Sequence, residues 1–525
     1  MATQNAFSVV EFYFNEDSSE HKCGYCKKRN AYKRHGLWAH RLTVRDYQNL
    51  IDRGWRRSGC YCYKPTNDQT CCPLYTIKCE ALDFMLSKSQ KKIIKRVAKF
   101  IKEGKKEEAY DKKTHKRTKI HHDSLNDIVE PDYSEHMARA HANLSENEIM
   151  MRETECDKKL SSSPQDKIQS ESEDIIENTP AQPMIQDIES LSNESKKSLT
   201  QNKPSNTSTM SVSDSDLPKK AKLMRIERAR NRLLAKGKTI EEIELIYKKK
   251  KEKNKPKSLD ELLNSLTDGV NKLELKLVPV SSEEFMATVD ESAELFKKYQ
   301  IAVHNDDPFD CDKKSFLNFL GKSPLHHWKP ESGPPLGYGS FHQQYRLNNK
   351  LMAVGVIDIL PYCVSSVYFF YDPVYSFLSL GTYSSLMEVR LVRELNKTVP
   401  DLKYYYMGYY IHSIPKMRYK AKMRPSKLLC PETYKWFDIE RCLPKLNENE
   451  YSRLNEDIDA IDEDGVIGFE TLLKVPVYYR GRMLYQNVRE IRRKFDDKKD
   501  DINEVKEYAE VVGKKCALNM YLVRT

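Results

Sequence analysis

The chain has 525 residues and a net charge of +11, from 88 Lys and Arg against 77 Asp and Glu. Its length suits two or three domains, but the hydrophobic fraction of 39% is low, so part of the chain should lack a packed core. No apolar run approaches the about 18 residues of a spanning helix, and no basic stretch followed by an apolar one opens the chain. We therefore expect no membrane contact, a cytoplasmic and nuclear location, and an anionic partner such as RNA.

The first predicted domain, residues 1–103, is a cysteine-rich N-terminal domain. Residues 8–14 read as an aromatic strand. Apolar residues recur at helical spacing in 43–53 and again in 88–102, where lysines surround the apolar face. The second helix is therefore a candidate lid or RNA-facing surface.

Seven of the 13 cysteines lie between positions 23 and 79. Cysteines in a reducing compartment rarely form disulfides, so ligation or redox chemistry is the leading interpretation. Cys23 and Cys26 have the spacing of a metal-binding turn, and Cys71 with Cys72 would complete four soft ligands. The adjacent second pair fits an ordinary zinc ribbon poorly, which leaves a zinc ion and an iron–sulfur cluster both open. Buried inert thiols and a redox dithiol are the alternatives, and the further candidate ligands are Cys60, Cys62 and Cys79.

Two polar segments follow. Residues 104–217 are charged and rich in Ser, Asn and Thr, and we interpret them as a disordered linker. Residues 218–257 are dense in Lys and Arg around a helical centre. This basic helical segment could contact RNA, direct nuclear import or be a solvated helix.

The last predicted domain, residues 258–525, has an α+β plan. It opens on a capping box at 258–261, and the strands 351–360 and 365–371 should pair in antiparallel fashion. A loop that contains Gly381, a helix over 383–396 and an aromatic strand over 404–411 follow. This order resembles acetyltransferase (GNAT-like) domains, in which the loop and helix N-terminus receive the acyl donor and the next strand splays to admit the amine.

Several side chains could carry chemistry. Trp55-Arg56-Arg57-Ser58 places two guanidinium groups side by side, and arginine forks bind carboxylate or sulfinate oxygens in bidentate fashion. A solvent-facing arginine pair is the alternative. His304 and His342 could each accept a proton, although lone histidines are commonly only packed or solvated.

Seven motifs spread over both ends of the chain resemble the eukaryotic arginyl-tRNA protein transferase family. They are Cys23-Gly-Tyr-Cys26, Gly36-Leu-Trp-Ala-His40, Asp52-Arg-Gly-Trp-Arg-Arg-Ser-Gly59, Thr70-Cys-Cys-Pro73, Gly337-Tyr-Gly-Ser-Phe-His-Gln-Gln-Tyr345, Ala353-Val-Gly-Val-Ile-Asp-Ile-Leu-Pro361 and Tyr404-Tyr-Tyr-Met-Gly-Tyr-Tyr-Ile-His-Ser413. The resemblance implies transfer of arginine from arginyl-tRNA to the α-amino group of proteins that begin with Asp, Glu or oxidised Cys, which marks them for ubiquitin-dependent degradation. It also implies a metal or iron–sulfur cluster on Cys23, Cys26, Cys71 and Cys72.

Within that resemblance we assign expected roles to further residues. Arg56 and Arg57, beside Trp55 and Ser58, should bind the acidic first side chain of the acceptor. The loop of Ser379 and Gly381 should face the aminoacyl end, and an acidic pocket should hold the arginyl side chain. The remaining assignments are Asp358 and Glu388 for that pocket, Arg418 and Lys420 for tRNA, and His304 or His342 for proton relay.

Two rival interpretations remain. One is an N-acetyltransferase that uses acetyl-CoA; the sequence lacks a dense Gly-rich pyrophosphate loop and offers only Gly381, so we expect no nucleotide cofactor. The other is a non-catalytic RNA-binding adaptor, which the aromatic and basic stretch 404–424 would also suit. We expect a monomer.

Overall fold

A computed structural model describes residues 7–14, 23–29, 31–105, 221–253, 257–495 and 501–524. The chain forms two compact units, residues 1–161 with 257–525, and residues 162–256. The first unit is a mixed α and β fold, in agreement with the predicted class. Most of the predicted linker lies outside the described residues, and so do the first six residues.

Fifteen strands of the described residues build two sheets. In chain order they are β1 (Ser8–Tyr13), β2 (Arg34–Arg41), β3 (Arg56–Ser58), β4 (Tyr61–Pro65), β5 (Tyr75–Glu80), β6 (Leu273–Pro279), β7 (Gly339–Leu347), β8 (Lys350–Ile359), β9 (Cys363–Tyr371), β10 (Tyr404–Tyr410), β11 (Ser426–Leu429), β12 (Trp436–Asp438), β13 (Pro476–Tyr478), β14 (Arg482–Leu484) and β15 (Met520–Val523).

The α-helices of the described residues lie around these sheets or in the second unit. They are α1 (Val44–Ile51), α2 (Lys88–Glu103), α3 (Ala221–Leu234), α4 (Ile240–Lys253), α5 (Leu259–Asn264), α6 (Glu283–Tyr299), α7 (Lys313–Phe316), α8 (Leu380–Asn396), α9 (Ile439–Glu448), α10 (Phe469–Leu473), α11 (Tyr485–Lys494), α12 (Ile502–Val512) and α13 (Lys514–Ala517). None of the helices within the described ranges has the length and apolar character needed to cross a bilayer.

The first sheet has the strand order β14-β13-β15-β1-β2-β4-β3. β1 pairs in antiparallel fashion with β2 and in parallel with β15, where Ser8 lies opposite Met520. Strands from the two ends of the chain therefore meet in one sheet. A sheet built from the N-terminal strands alone would have left β1 with a row of unpaired backbone groups.

The second sheet has the order β12-β11-β5-β10-β9-β8-β7-β6. An antiparallel meander is formed by β7, β8 and β9, and it includes the pair predicted for residues 351–371. Its first turn contains Asn348 and Asn349, whose φ angles are positive at 51° and 67°. β5 comes from the cysteine-rich end and lies between β10 and β11. Each sheet thus draws strands from both sides of the linker, and one hydrophobic core joins the two sheets.

Local signals explain several element boundaries. Ser258 and Glu261 form the predicted capping box at the start of α5, and Ser87 and Gln90 form a second one at the start of α2. At Gly59 a Cβ atom would lie 2.2 Å from the carbonyl oxygen of Asn318, so only glycine fits between β3 and β4.

The second unit contains two helices of the predicted basic segment, α3 and α4. At the start of α4, Thr239 Oγ1 accepts a hydrogen bond from the Glu242 N–H and so caps the helix. Ile243 is buried, and most of the other described side chains of the two helices are exposed. This exposure suits a solvated basic surface.

Candidate functional site

The four cysteines predicted as ligands come together in the structure. The Sγ atoms of Cys23, Cys26, Cys71 and Cys72 all lie within 4.8 Å of one another. Four sulfurs that bind one tetrahedral ion at about 2.3 Å would lie about 3.8 Å apart, so this grouping fits a single soft metal ion. In contrast, Cys62 and Cys79 are packed in the hydrophobic core.

Backbone hydrogen bonds hold the two cysteine pairs in place. The Cys23 N–H donates to Lys28 O at 2.8 Å and the Lys27 N–H donates to Cys23 O at 2.9 Å, which closes the first turn. The Cys71 N–H donates to Ala31 O at 2.8 Å and so ties the second pair to the segment that follows the first. The ligand geometry is therefore fixed by the chain itself.

The thiols of the group do not titrate alike. A hydrogen bond from Cys72 lowers the pKa of Cys23 to about 5, whereas burial and the neighbouring thiols raise the pKa of Cys71 to about 12. Cys23 and Cys72 belong to a small hydrophobic cluster with Tyr61, Tyr63 and other aromatic residues. The group is thus partly shielded from water and contains a thiol poised as thiolate, as metal binding requires.

Arg57 and Asp358, predicted for two different pockets, form one buried ion pair. Arg57 Nε donates to Asp358 Oδ2 at 2.8 Å and Arg57 Nη2 donates to Asp358 Oδ1 at 2.6 Å. Ser340 Oγ also donates to this carboxylate at 2.6 Å, and the Asp358 side chain is 0% exposed. The pair joins β3 of the first sheet to β8 of the second.

The neighbours of Arg57 are buried as well. Arg56 Nη1 donates to Trp55 O at 2.6 Å, and its guanidinium lies 5.3 Å from the ring centre of Tyr409. Trp55 is 0% exposed, and the buried Ser58 hydroxyl has no hydrogen-bond partner among the described residues. The whole 55–58 segment therefore lies inside the fold beside the second sheet.

The second sheet opens next to the predicted donor loop. β9 and β10 pair in parallel from Cys363–Tyr404 to Ser365–Tyr406, and their pairing ends there. Helix α8 connects the two strands and begins after Ser379, whose backbone is left-handed with φ of 55°. A Cβ atom at Gly381 would have no neighbour within 4 Å, so the helix faces open space at this residue.

Glu388 of α8 is a buried carboxylate at this opening. Ser384 Oγ donates to Glu388 Oε1 at 2.7 Å, and burial raises the pKa of the carboxyl in spite of hydrogen bonds from Ser384, Tyr405 and Ser366. In the described part of the chain no Lys or Arg forms an ion pair with it. A cationic ligand that reached Glu388 would therefore meet a carboxyl group without a positively charged partner.

The two predicted histidines lie in different surroundings. His342 is 0% exposed, its Nε2 lies 3.0 Å from Leu320 O, and its Nδ1 has no partner among the described residues. His304 is half-buried at the end of a π-helical turn, with Nε2 3.4 Å from Tyr368 Oη. Of the two, His304 is nearer to solvent.

Burial lowers the pKa of His342 to about 4. An unfolded histidine titrates near 6.5, so between these values the unfolded chain binds more protons and stability should fall as the pH falls from about 6.5 to 4. We expect His342→Gln, which keeps a donor for Leu320 O, to lose less stability than the wild type over this range. Thermal unfolding of both proteins at pH 7.5 and pH 5 checks this. If His342→Gln instead lowered kcat at pH 7.5 by more than about 100-fold at unchanged stability, His342 would act as a proton relay.

The two residues predicted to contact tRNA also differ. Arg418 is exposed and donates to His412 O, whereas Lys420 is 4% exposed and its Nζ donates to Tyr409 O at 2.8 Å. A more extended basic surface lies on α2, where Arg96 Nη1 donates to Ser379 Oγ at 3.2 Å. The exposed lysines of that helix are Lys88, Lys92, Lys95, Lys99 and Lys102.

A cleft near the cysteine group has no counterpart among the predicted site residues. It has a volume of about 510 Å³, and its walls include Arg53, Lys64, Thr76 and Tyr434. Lys64 lies in β4, a strand that also contains aromatic residues, and it is only 9% exposed. A lysine within the Tyr-Cys-Tyr-Lys-Pro strand pattern is the one sequence signal that could have indicated it.

Two family models match the chain. The model described as arginine-tRNA-protein transferase, N terminus, matches residues 21–92, and the model described as arginine-tRNA-protein transferase, C terminus, matches residues 291–430. The first range contains the cysteine group and the 55–58 segment. The second contains β7 to β10 and helix α8.

Individual relatives extend this match. The chain is 42% identical to arginyl-tRNA–protein transferase 1 of Drosophila melanogaster over 99% of this chain and 100% of that one. It is 36% identical to arginyl-tRNA–protein transferase 2 of Arabidopsis thaliana, over 82% of this chain and 76% of that one. An aspartate/glutamate leucyltransferase of Shewanella putrefaciens is 33% identical over 28% of this chain and 55% of its own. The chain therefore belongs to the arginyl-tRNA–protein transferase family.

Proposed function

We propose that this chain transfers arginine from arginyl-tRNA to the α-amino group of proteins that begin with Asp, Glu or oxidised Cys, and so marks them for ubiquitin-dependent degradation. The identity of 42% over nearly the whole chain to a relative of that name carries the proposal. As a member of this family the chain is an aminoacyltransferase. Labelled arginyl-tRNA and a peptide beginning with Asp test it: arginine should appear on the peptide, and its absence would refute the activity.

The reaction needs no enzyme nucleophile, because an aminoacyl ester is already activated. The neutral α-amine of the acceptor attacks the ester carbonyl, the C–N bond forms, and the C–O bond to the terminal ribose breaks. The proton of the amine ends on the ribose oxygen that leaves, and His304 is the better placed of the two histidines to relay it. Positioning and oxyanion stabilisation are what the protein must supply.

The opening between β9 and β10 is the site that we assign to the aminoacyl end. The N-terminus of the 17-residue helix α8 presents backbone N–H groups there, which favour a developing oxyanion. Ser379 and Gly381 form the edge of this opening. The exposed lysines of α2, joined to Ser379 through Arg96, and the exposed Arg418 would then contact the tRNA phosphates.

Glu388 is the residue that we assign to the arginyl side chain. A guanidinium would pair with its buried carboxylate and restore the charged form that burial disfavours. Asp358 is already paired with Arg57, so in this proposal it positions the neighbouring segment rather than the arginyl group.

Glu388→Gln should therefore raise the KM for arginyl-tRNA by about 10-fold or more and leave the KM for the peptide unchanged, since the amide keeps the shape but loses the charge. Steady-state kinetics with varied arginyl-tRNA measure this. Glu394→Gln on the same helix is the control, because Glu394 is exposed and pairs with Arg390. An unchanged KM together with higher stability would make Glu388 a plain core residue.

For the cysteine group we propose a single tetrahedral ion such as zinc. The spread of at most 4.8 Å among the four sulfurs supports this over a multi-iron cluster, whose thiolates attach to different iron atoms and so lie farther apart. The ion would tie the 23–26 turn to the 71–72 turn. It would thereby stabilise the wall of the neighbouring cleft that Lys64 and Thr76 line.

A further inference from the structure

We propose that the cleft at Lys64 holds the side-chain carboxylate of the acceptor's acidic first residue, with the Lys64 amine and the Thr76 hydroxyl as its donors. This rests on the proposed function and gives the acceptor subsite a different location from the buried guanidinium groups of Arg56 and Arg57. Thr76 lies near the start of β5, and Lys64 lies near the end of β4. Leu74, two residues after Cys72, also lines the cleft, so the cleft adjoins the cysteine group.

In its protonated form Lys64 has one N–H donor to spare. Its Nζ donates to Tyr434 Oη at 2.6 Å and to Val511 O at 3.2 Å, and an ammonium group has three N–H donors. Within the described ranges no carboxylate accepts a hydrogen bond from it. Burial and Arg53 hold the pKa of Lys64 well below its usual value, so a carboxylate placed beside the amine would stabilise its charged form.

Thr76 supplies an independent sign of a missing partner. Its side chain is 2% exposed, it lines the cleft, and its Oγ1 has no hydrogen-bond partner among the described residues. A buried hydroxyl that lacks a partner is costly by about 1–3 kcal/mol. The cleft therefore offers two donors, an ammonium and a hydroxyl, and in our proposal each donates to one oxygen of the carboxylate.

Tyr434 fixes the position of the lysine through a strained backbone. Its φ of 48° is left-handed, which is rare for a bulky side chain, and its N–H donates to Cys430 O at 3.0 Å in the turn. The ring centre lies 4.2 Å from the Arg53 guanidinium and 4.4 Å from Lys64 Nζ. The strained turn therefore holds a tyrosine between two cations at the cleft wall.

The charges around the cleft favour an acceptor N-terminus over a tRNA end. Asp68, Glu432 and Glu510 are exposed carboxylates that line the same cleft; Glu432 pairs with Arg453 and Glu510 with Lys506, and Asp462 and Asp464 pair with Arg53. An acidic N-terminal residue carries both a carboxylate and an amino group, so it complements a basic wall with an acidic rim. A tRNA phosphodiester carries no amino group that could pair with that rim. The volume of about 510 Å³ accommodates more than one residue of an acceptor.

Kinetics of two variants test the assignment. Lys64→Met should raise the KM for a peptide beginning with Asp by about 10- to 100-fold, because a charge-assisted hydrogen bond is lost, and leave the KM for arginyl-tRNA unchanged. Thr76→Val should raise the peptide KM by about 3- to 10-fold without loss of thermal stability, because the hydroxyl has no partner to lose. Lys435→Met is the matched control: this lysine follows Tyr434 and is exposed, so its peptide KM should equal that of the wild type.

Calorimetry gives a readout that does not depend on transfer. The wild type should bind an Asp-starting peptide at least about 10-fold more tightly than the same peptide with Asn in first place, and Lys64→Met should lose this preference. A wild-type peptide KM in Lys64→Met, or a raised KM for arginyl-tRNA alone, would overturn the proposal; the latter would assign the cleft to the tRNA. If the wild type failed to transfer arginine, the proposed function would fall, whereas the loss or retention of the preference for Asp in Lys64→Met would still decide the cleft.

Discussion

If the four cysteines hold the proposed ion, replacement of both Cys71 and Cys72 by alanine is expected to abolish metal binding and arginine transfer. Only two ligands, Cys23 and Cys26, would remain, and a tetrahedral site with two thiolates cannot hold its ion against water. Structural zinc sites contribute on the order of 10 kcal/mol to folding, so the thermal unfolding midpoint should also fall steeply. Elemental analysis of the purified variant gives the metal content per chain.

Cys442→Ala is the control for this experiment. Cys442 is 1% exposed and lies in α9, outside the group of four, so its loss should cost no metal and only a small part of the stability. Full metal content in the Cys71 and Cys72 double variant would end the ligand assignment. If the double variant lost its metal but still transferred arginine at the wild-type rate, the ion would not be needed for catalysis.

Arg57→Met is expected to destabilise the protein by about 3–5 kcal/mol, because it leaves the Asp358 carboxylate buried and without its cationic partner. Total stabilities of folded domains are about 5–15 kcal/mol, so much of the variant should be unfolded or insoluble. Thermal unfolding and the soluble yield measure the effect. The same experiment addresses the role predicted for Arg57 in the acceptor pocket: a stable variant with a raised peptide KM would support that role.

Two further variants make the result interpretable. Arg346→Met breaks the more exposed pair with Glu291, so it should cost at most about 1 kcal/mol. Arg57→Met combined with Asp358→Asn should recover a large part of the lost stability, since no unpaired charge remains. Equal stability losses for Arg57→Met and Arg346→Met would show that burial adds nothing to the Arg57 pair.

The sequence predicts well those features whose signals are local. Cys23 and Cys26 have a metal-binding spacing, the alternation in β8 and β9 indicates a hairpin, and the 258–261 pattern indicates a helix start. The structure confirms the grouping of the four cysteines and both of these elements. The acetyltransferase-like assignment of the second sheet stays a prediction.

Features that depend on distant residues escape such signals. The sequence predicts Arg57 and Asp358 for separate pockets because nothing local indicates that residues 301 positions apart share a buried pair. Lys420 reads as a surface cation in a basic stretch, yet its amine is buried against Tyr409 O. The Lys64 cleft combines β4, β5 and the turn at Tyr434, so it exists only once both sheets have formed.

The parallel pairing of β1 with β15 also sets the order of events during synthesis. Ser8 lies opposite Met520, which follows it by 512 positions, and at about 5–20 residues per second the ribosome needs roughly 25–100 s to cover them. The four cysteines are all available once residue 72 has emerged. In the proposed metal site the nascent chain could therefore bind its ion early, whereas β1 lacks its parallel neighbour until β15 has been made.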